Sequence, residues 1–313
     1  MIDVSVIIPF LNENENLADV ILGLNEYADS QSFSIEAIFV DDGSTDSSVE
    51  TIRKTPSNIV PVKLIRLSKN FGSHAAIRAG LTEATGKYAM FFMADLQEPF
   101  SMIGDLHTKA LEGYDIVAAR KASEKRPLSE KIFSGIYTCM IRKFAVPEYP
   151  KGGVNIFLFS KKVKDYLCQN IETNSSIHMQ ILNMGFRRAI LDFSFSERKR
   201  GKSKWTFSKK VKLFIDSFLA FSYIPIRLIT ILGLLFFICG TLYALFVIIV
   251  SLTEIMDIDP GFPTFISVTM IGFGLTNLAL GIIAEYLWRT LDAARGRPVF
   301  IIDTIEEIEN NCN

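Results

Sequence analysis

Cysteine is scarce and scattered in this sequence. The four present, Cys139, Cys168, Cys239 and Cys312, match no paired spacing, which argues against a disulfide framework or a zinc cluster and fits a reducing compartment. Histidine is rarer still, and His74, His107 and His178 match neither a metal nor a triad spacing, so they read as packed or surface residues. The G-x-G-x-x-G that a dinucleotide-binding domain needs after its first strand is missing; PFLNENENL stands there instead, which leaves an oxidoreductase unsupported. There is no internal repeat and no low-complexity tract. MIDVSVIIPF at the N-terminus has neither a basic n-region nor a small-residue cleavage site, so no signal peptide is expected and the N-terminal domain is expected in the cytoplasm.

Charge of one sign is missing from two stretches. Arg198 to Lys212 holds eight basic residues and no acidic one, a block that the net charge of −1 conceals. It calls for an anionic partner, here a phosphate-bearing lipid or nucleotide and not a nucleic acid. Conversely, no Lys or Arg occurs between Arg227 and Arg289. Within that stretch Leu228 to Leu252 is 25 residues without a charge, and Phe265 to Ala284 is 20 more, where about 20 suffice to cross a bilayer core. Both read as transmembrane helices, joined by the acidic loop TEIMDIDPGFPT. The distribution of Lys and Arg puts both ends of this hairpin on the cytoplasmic side, which makes a multi-pass protein of the cytoplasmic membrane. The mean hydropathy of +0.27 agrees with a globular domain plus membrane segments.

What precedes the hairpin alternates short β-rich apolar runs with helical stretches, the pattern of βαβ units around a mostly parallel sheet. The runs are VSVIIPF, IEAIFVD, PVKLIRL, KYAMFFMAD, DIVAAR and VNIFLFS. Helices are expected over Glu15 to Tyr27, Ser73 to Ala84 and Phe100 to Glu112. Leu128 to Phe144 is amphipathic and suits either the sheet or a membrane surface. Phe207 to Leu219 is amphipathic too; with Lys209, Lys210 and Lys212 on its polar side it suits an interfacial helix. The boundaries expected are a catalytic domain over 1–205, a juxtamembrane helix over 206–225, the hairpin over 226–288 and a cytoplasmic tail over 289–313. In that tail RGRPVFIID reads as a short strand returning to the catalytic domain.

Carboxylates gather just after predicted strands. Asp41 and Asp42 in FVDDGSTD end the second run, where ligands bind in open α/β sheets, and can accept hydrogen bonds from a base N–H or ribose hydroxyls. The same residues also make an ordinary turn, with Gly43 bending the chain and Ser44 or Asp46 capping the next helix. In FFMADLQEP, Asp95 and Gln97 offer hard oxygens to Mg²⁺ or Mn²⁺; a solvated turn closed by Pro99 is the plain alternative. Arg198 and Lys204 in ERKRGKSKW could hold a diphosphate or lipid phosphate, whereas Lys199, Arg200 and Lys202 suit solvent or headgroups.

In order, PFLNENENL, VDDGSTD, LSKNFGSHAAIRAGL, MADLQEP, ERKRGKSKW and two C-terminal spans resemble the polyprenyl-phosphate glycosyltransferases. These are relatives of dolichyl-phosphate mannose synthase and bactoprenol glucosyltransferase within family 2. The resemblance implies a GT-A fold, a divalent metal, and inverting transfer of one sugar from a nucleotide-sugar, UDP-glucose-like or GDP-mannose-like, to polyprenyl phosphate such as undecaprenyl phosphate. Pro9, Glu13, Asp41 and Asp42 would then hold the nucleoside, Asp95 and Gln97 the metal and diphosphate, and Arg198 and Lys204 the phosphates. Asn155 stands where the family tends to place an acidic catalytic base, Met93 at the first position of its Asp-x-Asp motif, and Leu11 where an aromatic residue is common. A catalytically silent membrane partner that keeps donor binding is the second reading. A processive synthase lacks its Q-x-x-R-W signature here. Membrane lipids are expected contacts, and homo-oligomerisation is compatible with two spans.

Overall fold

The computed structural model describes residues 2–122, 135, 138–143, 149–150, 153–154, 156–170, 176–195, 229–236, 238–240, 242, 245, 249 and 261–308. Two units divide the chain, one of Met1–Ser217 with Pro298–Asn313 and the other of Phe218–Arg297. Asn155, Arg198, Lys204, the basic interfacial segment Phe207 to Leu219 and most of Leu128 to Phe144 lie outside the described residues.

In the first unit the apolar runs become β1 (Val4–Phe10), β2 (Ile35–Asp41), β3 (Val62–Leu67), β4 (Tyr88–Phe91), β5 (Ile116–Lys121) and β6 (Ile156–Ser160). Two more strands, β7 (Arg188–Phe193) and β8 (Ile302–Ile308), complete a sheet in the order β7-β5-β6-β4-β1-β2-β3-β8. β1 pairs in parallel with β2 and β4, β2 with β3, and β5 with β7. β6 runs antiparallel between β4 and β5, and β8 antiparallel along β3. Every residue of β1 and β2 is buried, which is why these strands read as largely apolar runs and not as alternations.

The helices are α1 (Asn14–Asp29), α2 (Ser48–Lys54), α3 (Ser73–Glu83), α4 (Ser101–Leu111), α5 (Lys161–Gln169) and α6 (Ile177–Asn183). α1 buries Leu17, Val20, Ile21, Leu24 and Ala28, one stripe at helical spacing. Helices cover both faces of the sheet. Gly80 of α3 lies against Ile7 and Val40, and His178 of α6 has its ring 5.3 Å from that of Phe91. On the opposite face His107 of α4 meets Tyr88 at 5.4 Å, and Tyr27 of α1 accepts the Gly104 N–H of α4 at 3.1 Å. At the amino edge the buried Glu36 carboxylate accepts Ser5 Oγ at 2.5 Å, Thr85 N at 2.7 Å and Thr85 Oγ1 at 2.9 Å. One carboxylate thereby ties β1, β2 and the entry to β4.

The second unit contains α7 (Phe262–Ala294), 33 residues, or about 50 Å at 1.5 Å per residue. Among the described residues this helix alone is long and apolar enough to cross a membrane, and none of its apolar window is buried within the protein. Phe265, Ile271, Phe273, Leu280 and Leu287 are all exposed, each a side chain whose burial is worth about 1.5–3 kcal/mol relative to water. The apolar stretch ends where Glu285 and Arg289 pair one turn apart at 2.9 Å. Of the other expected span, Leu228 to Leu252, the described residues include most of a shorter apolar helix over Ile229–Gly240.

Candidate active site

The sheet changes direction between β1 and β4: β2 and β3 lie on one side of β1 and β4 on the other. Such a switch point opens a crevice at the carboxyl ends of the strands, where ligands bind in open α/β folds. β1 and β4 stay in register as far as Ile7 opposite Phe91, and the last bond between them is Phe92 N–H to Ile7 O at 2.8 Å. Beyond it the strands part. β4 is therefore shorter than the expected run KYAMFFMAD.

Pro9 occupies the parting. Alternate residues of a strand direct their backbone groups to opposite sides; Ile7 bonds toward β4, and Phe10 O accepts Asp42 N at 3.0 Å toward β2. Pro9 therefore faces the side where β4 has already ended, and its missing N–H costs the ladder nothing. Glu13 holds the N-cap position of α1. Its N–H donates to Ser48 Oγ and its Oε2 accepts Asn16 Nδ2, both at 3.0 Å.

Asp41 closes β2, almost fully buried, with Oδ1 accepting Ser44 N at 2.7 Å and Oδ2 facing Arg66 Nε at 3.6 Å. Asp42 accepts the Phe71 N–H at 2.7 Å and the Gly72 N–H at 3.0 Å, and so fixes the turn that starts α3. Burial raises the Asp42 carboxyl above the ordinary carboxylate range, although the Phe71 and Gly72 N–H groups oppose the shift. Gly43 between this turn and Ser44 has φ +81°, and a Cβ there would stand 2.9 Å from Asn70 N, so both conformation and space require glycine.

Asp95 follows β4 by four residues, buried, with Oδ1 accepting the Gln97 N–H at 3.3 Å. Leu96 between them takes φ 57°, a left-handed conformation that is uncommon for leucine and concentrates at functional turns. Pro9, Glu13, Asp41, Asp42, Asp95 and Gln97 thus share the carboxyl edge of three neighbouring strands, β4-β1-β2. At the usual strand spacing the outer two are about 10 Å apart, a span suited to a nucleotide. Met93, also on this loop, is half-buried.

Several residues here were not evident from sequence. Asn12 sits at φ 50° and its Oδ1 accepts the Thr45 N–H at 2.8 Å, while its own N–H donates to Ser44 Oγ at 2.9 Å. It pins the loop after β1 to the loop after β2; an Asn directly beyond a strand was the available sign, since Asn tolerates this conformation. On the α3 face, Arg78 donates to Gln180 Oε1 at 2.8 Å and the His74 and His178 rings lie 5.2 Å apart. Burial, then the nearby His178 and Arg78, hold the His74 imidazole down at about 3.

The sequence pattern of glycosyl transferase family 2 matches residues 5–193. The chain belongs to this family, and its α/β fold with a mostly parallel sheet is GT-A-like. An uncharacterised glycosyltransferase of Bacillus subtilis is 30% identical over 310 residues, covering 99% of this chain and 96% of its own length. Another from Synechocystis is 28% identical over 309 residues, covering 98% and 97%. The undecaprenyl-phosphate 4-deoxy-4-formamido-L-arabinose transferase of Proteus mirabilis is 30% identical over 307 residues, covering 96% of this chain and 93% of its own length. The resemblance to polyprenyl-phosphate glycosyltransferases therefore runs through the apolar C-terminal part and not only the sheet.

Proposed function

We propose that this enzyme transfers one sugar from a nucleotide-sugar, UDP-glucose-like or GDP-mannose-like, to polyprenyl phosphate at the cytoplasmic face of a membrane. The observation that carries the reading is the carboxyl-edge crevice. Acidic side chains stand at the ends of β2 and β4 on either side of β1, in a chain similar over nearly its whole length to a transferase named for undecaprenyl phosphate. Asp41 and Asp42 meet the nucleoside beside Pro9 and Glu13; Asp95 and Gln97 lie toward the diphosphate.

A lipid phosphate oxygen attacks the anomeric carbon, the bond from that carbon to the diphosphate breaks, and the electron pair leaves with the nucleoside diphosphate. Attack in line from the opposite side inverts the configuration. A phosphate monoester has its second pKa near 6 and brings its own negative charge, so no base need remove a proton. Asn155, in place of a carboxylate, then serves to orient the acceptor, and Arg198 and Lys204 hold phosphates.

Asp95 and Gln97 supply hard oxygens that fit Mg²⁺ or Mn²⁺, which takes one or two carboxylates and fills its other positions with phosphate and water. Among the described residues no three His, Cys, Asp or Glu side chains could hold a metal together, so the donor diphosphate would complete the ligand set. Bound there, the cation supplies neutralisation of charge on the leaving diphosphate.

Membrane anchoring has support of a different kind. β8 pairs with β3 in the same sheet as β1, and a sheet cannot straddle a bilayer, whose core leaves no backbone group unpaired. The chain before and after the apolar unit therefore lies on one side, which requires an even number of crossings. One crossing by α7 supports a second, and Leu228 to Leu252 is the segment with the length for it.

The test is purified protein with labelled UDP- and GDP-sugars, Mg²⁺ or Mn²⁺ and undecaprenyl phosphate. A labelled lipid is expected, its yield reduced at least ~100-fold in Asp95→Ala. Nucleotide-sugar binding without any labelled lipid would favour the silent-partner reading, to which Met93 at the Asp-x-Asp position lends its weight. Faster turnover in Asn155→Asp would show that an added carboxylate helps and that acceptor orientation alone is not enough.

A further inference from the structure

Asp41 and Arg66 are partners across the β2–β3 ladder, so their side chains rise from the same face of the sheet. Arg66 Nε stands 3.6 Å from Asp41 Oδ2, an ion pair beyond hydrogen-bond length. The other carboxylate oxygen takes the Ser44 N–H at 2.7 Å. Asp41 is 1% exposed while the Arg66 side chain is 38% exposed. The acid is shielded from water, and the guanidinium reaches from that shielded oxygen toward solvent.

Arg66 is also flanked on its outer side by β8. β8 sets Thr304 opposite it, and the β3–β8 ladder shifts register immediately afterwards, between Arg66 and Leu67. Glu306, two residues beyond Thr304 and on the same face, is gripped by Arg53 of α2 at 2.8 and 2.6 Å. Those hydrogen bonds, with smaller help from Arg66, keep the Glu306 carboxyl below its usual range. The edge strand thus adds a second negative charge on the same face, close enough for Arg66 to act on it weakly.

We propose that Arg66 is a positioning residue for the nucleoside half of the donor site: acting through Asp41, and steadied by β8, it presents that carboxylate to the nucleotide in one orientation. The inference rests on Asp41 meeting the nucleoside, as proposed above. It makes the C-terminal strand part of the donor site although the strand is distant from it in sequence.

Calorimetric titration of the full-length protein in detergent with UDP and GDP provides the baseline. Arg66→Gln is expected to weaken the preferred nucleotide by ~10-fold and to raise the donor KM in proportion, with kcat changed less than about threefold, in line with loss of a charge-assisted contact. Arg66→Lys, which keeps the charge without the planar fork, is expected to recover most of the loss. On an Asp41→Asn background, Arg66→Gln is expected to matter less than about twofold, because the group it acts through has lost its charge. If Arg66→Gln does not fold, Arg66→Lys enters the same cycle with a smaller expected loss that must again vanish on the Asp41→Asn background. A wild-type protein that binds neither nucleotide overturns this inference together with the functional reading. Nucleotide binding by the wild type with equal affinity in the Arg66 variants, or losses that simply add in the double variant, overturns this inference alone.

Discussion

At the scale of the residue, burial decides protonation. His74 is held neutral down to about pH 3, first by burial and then by the neighbouring His178 and Arg78. In the unfolded chain the same imidazole takes a proton near pH 6.5. Because the unfolded state binds that proton and the folded state does not, stability falls as pH drops through the window from 6.5 to about 3. The slope is about 1.4 kcal/mol per pH unit, or about 2 kcal/mol lost at pH 5. In His74→Gln the melting temperature is expected to fall less between pH 7 and pH 5 than in the wild type, by roughly 4–8 °C; equal falls would show that the imidazole is not buried. Asp42 has the reverse chemistry and the opposite sign. Its carboxyl is raised by burial, so the stability it contributes is greatest below the ordinary carboxylate value and declines as pH rises through the raised one. The carboxylates of the candidate site were legible because DDGSTD and ADLQEP follow apolar runs. Arg66 was not, since in sequence it is an arginine within an apolar run and only the β2–β3 register sets it against Asp41.

At the scale of the element, close approach fixes how α3 sits on the sheet. A Cβ on Gly80 would stand 2.4 Å from Ile7 Cγ2 and 3.1 Å from Val40 Cγ2, and both side chains are fully buried in β1 and β2. Alanine favours an exposed helix interior over glycine by about 1 kcal/mol, but overpacking a core costs about 1–3 kcal/mol. Gly80→Ala is expected to lower stability on balance, measured as a lower denaturant midpoint, and to weaken nucleotide binding because β1 carries Pro9 into the crevice. A stabilised variant would mean that α3 stands off the sheet. The apolar runs and the helices between them could be read from periodicity; the returning strand expected at RGRPVFIID forms instead over Ile302–Ile308, where half-buried and exposed residues alternate. Strand order and direction could not: β6 reads like its parallel neighbours yet runs antiparallel between β4 and β5, and β7 had no expected strand at all. Its residues are half-buried or exposed throughout, so it lacks the largely apolar run that marks the inner strands.

At the scale of the whole molecule, connectivity constrains topology. If the proposed two-span topology holds, with the tail returning to the sheet that begins the chain, a cysteine in the loop between the two apolar segments and one in the tail lie on opposite sides of the membrane. Asp257→Cys is expected to react with an impermeant maleimide in intact cells, over the background of the native cysteines, and Asp303→Cys only after lysis. Labelling of both from the same side would require a different number of crossings. Sequence by itself determined the class of fold, the acidic turns after β2 and β4 and the apolar segments, because each is written in local periodicity and composition. Tertiary structure alone decided that β1 and β4 part at Ile7, that Asp41 meets Arg66, and that the strand beyond the apolar segment runs antiparallel along β3. These depend on pairings between residues far apart in the chain, where register and close packing, which no local pattern encodes, select the partner.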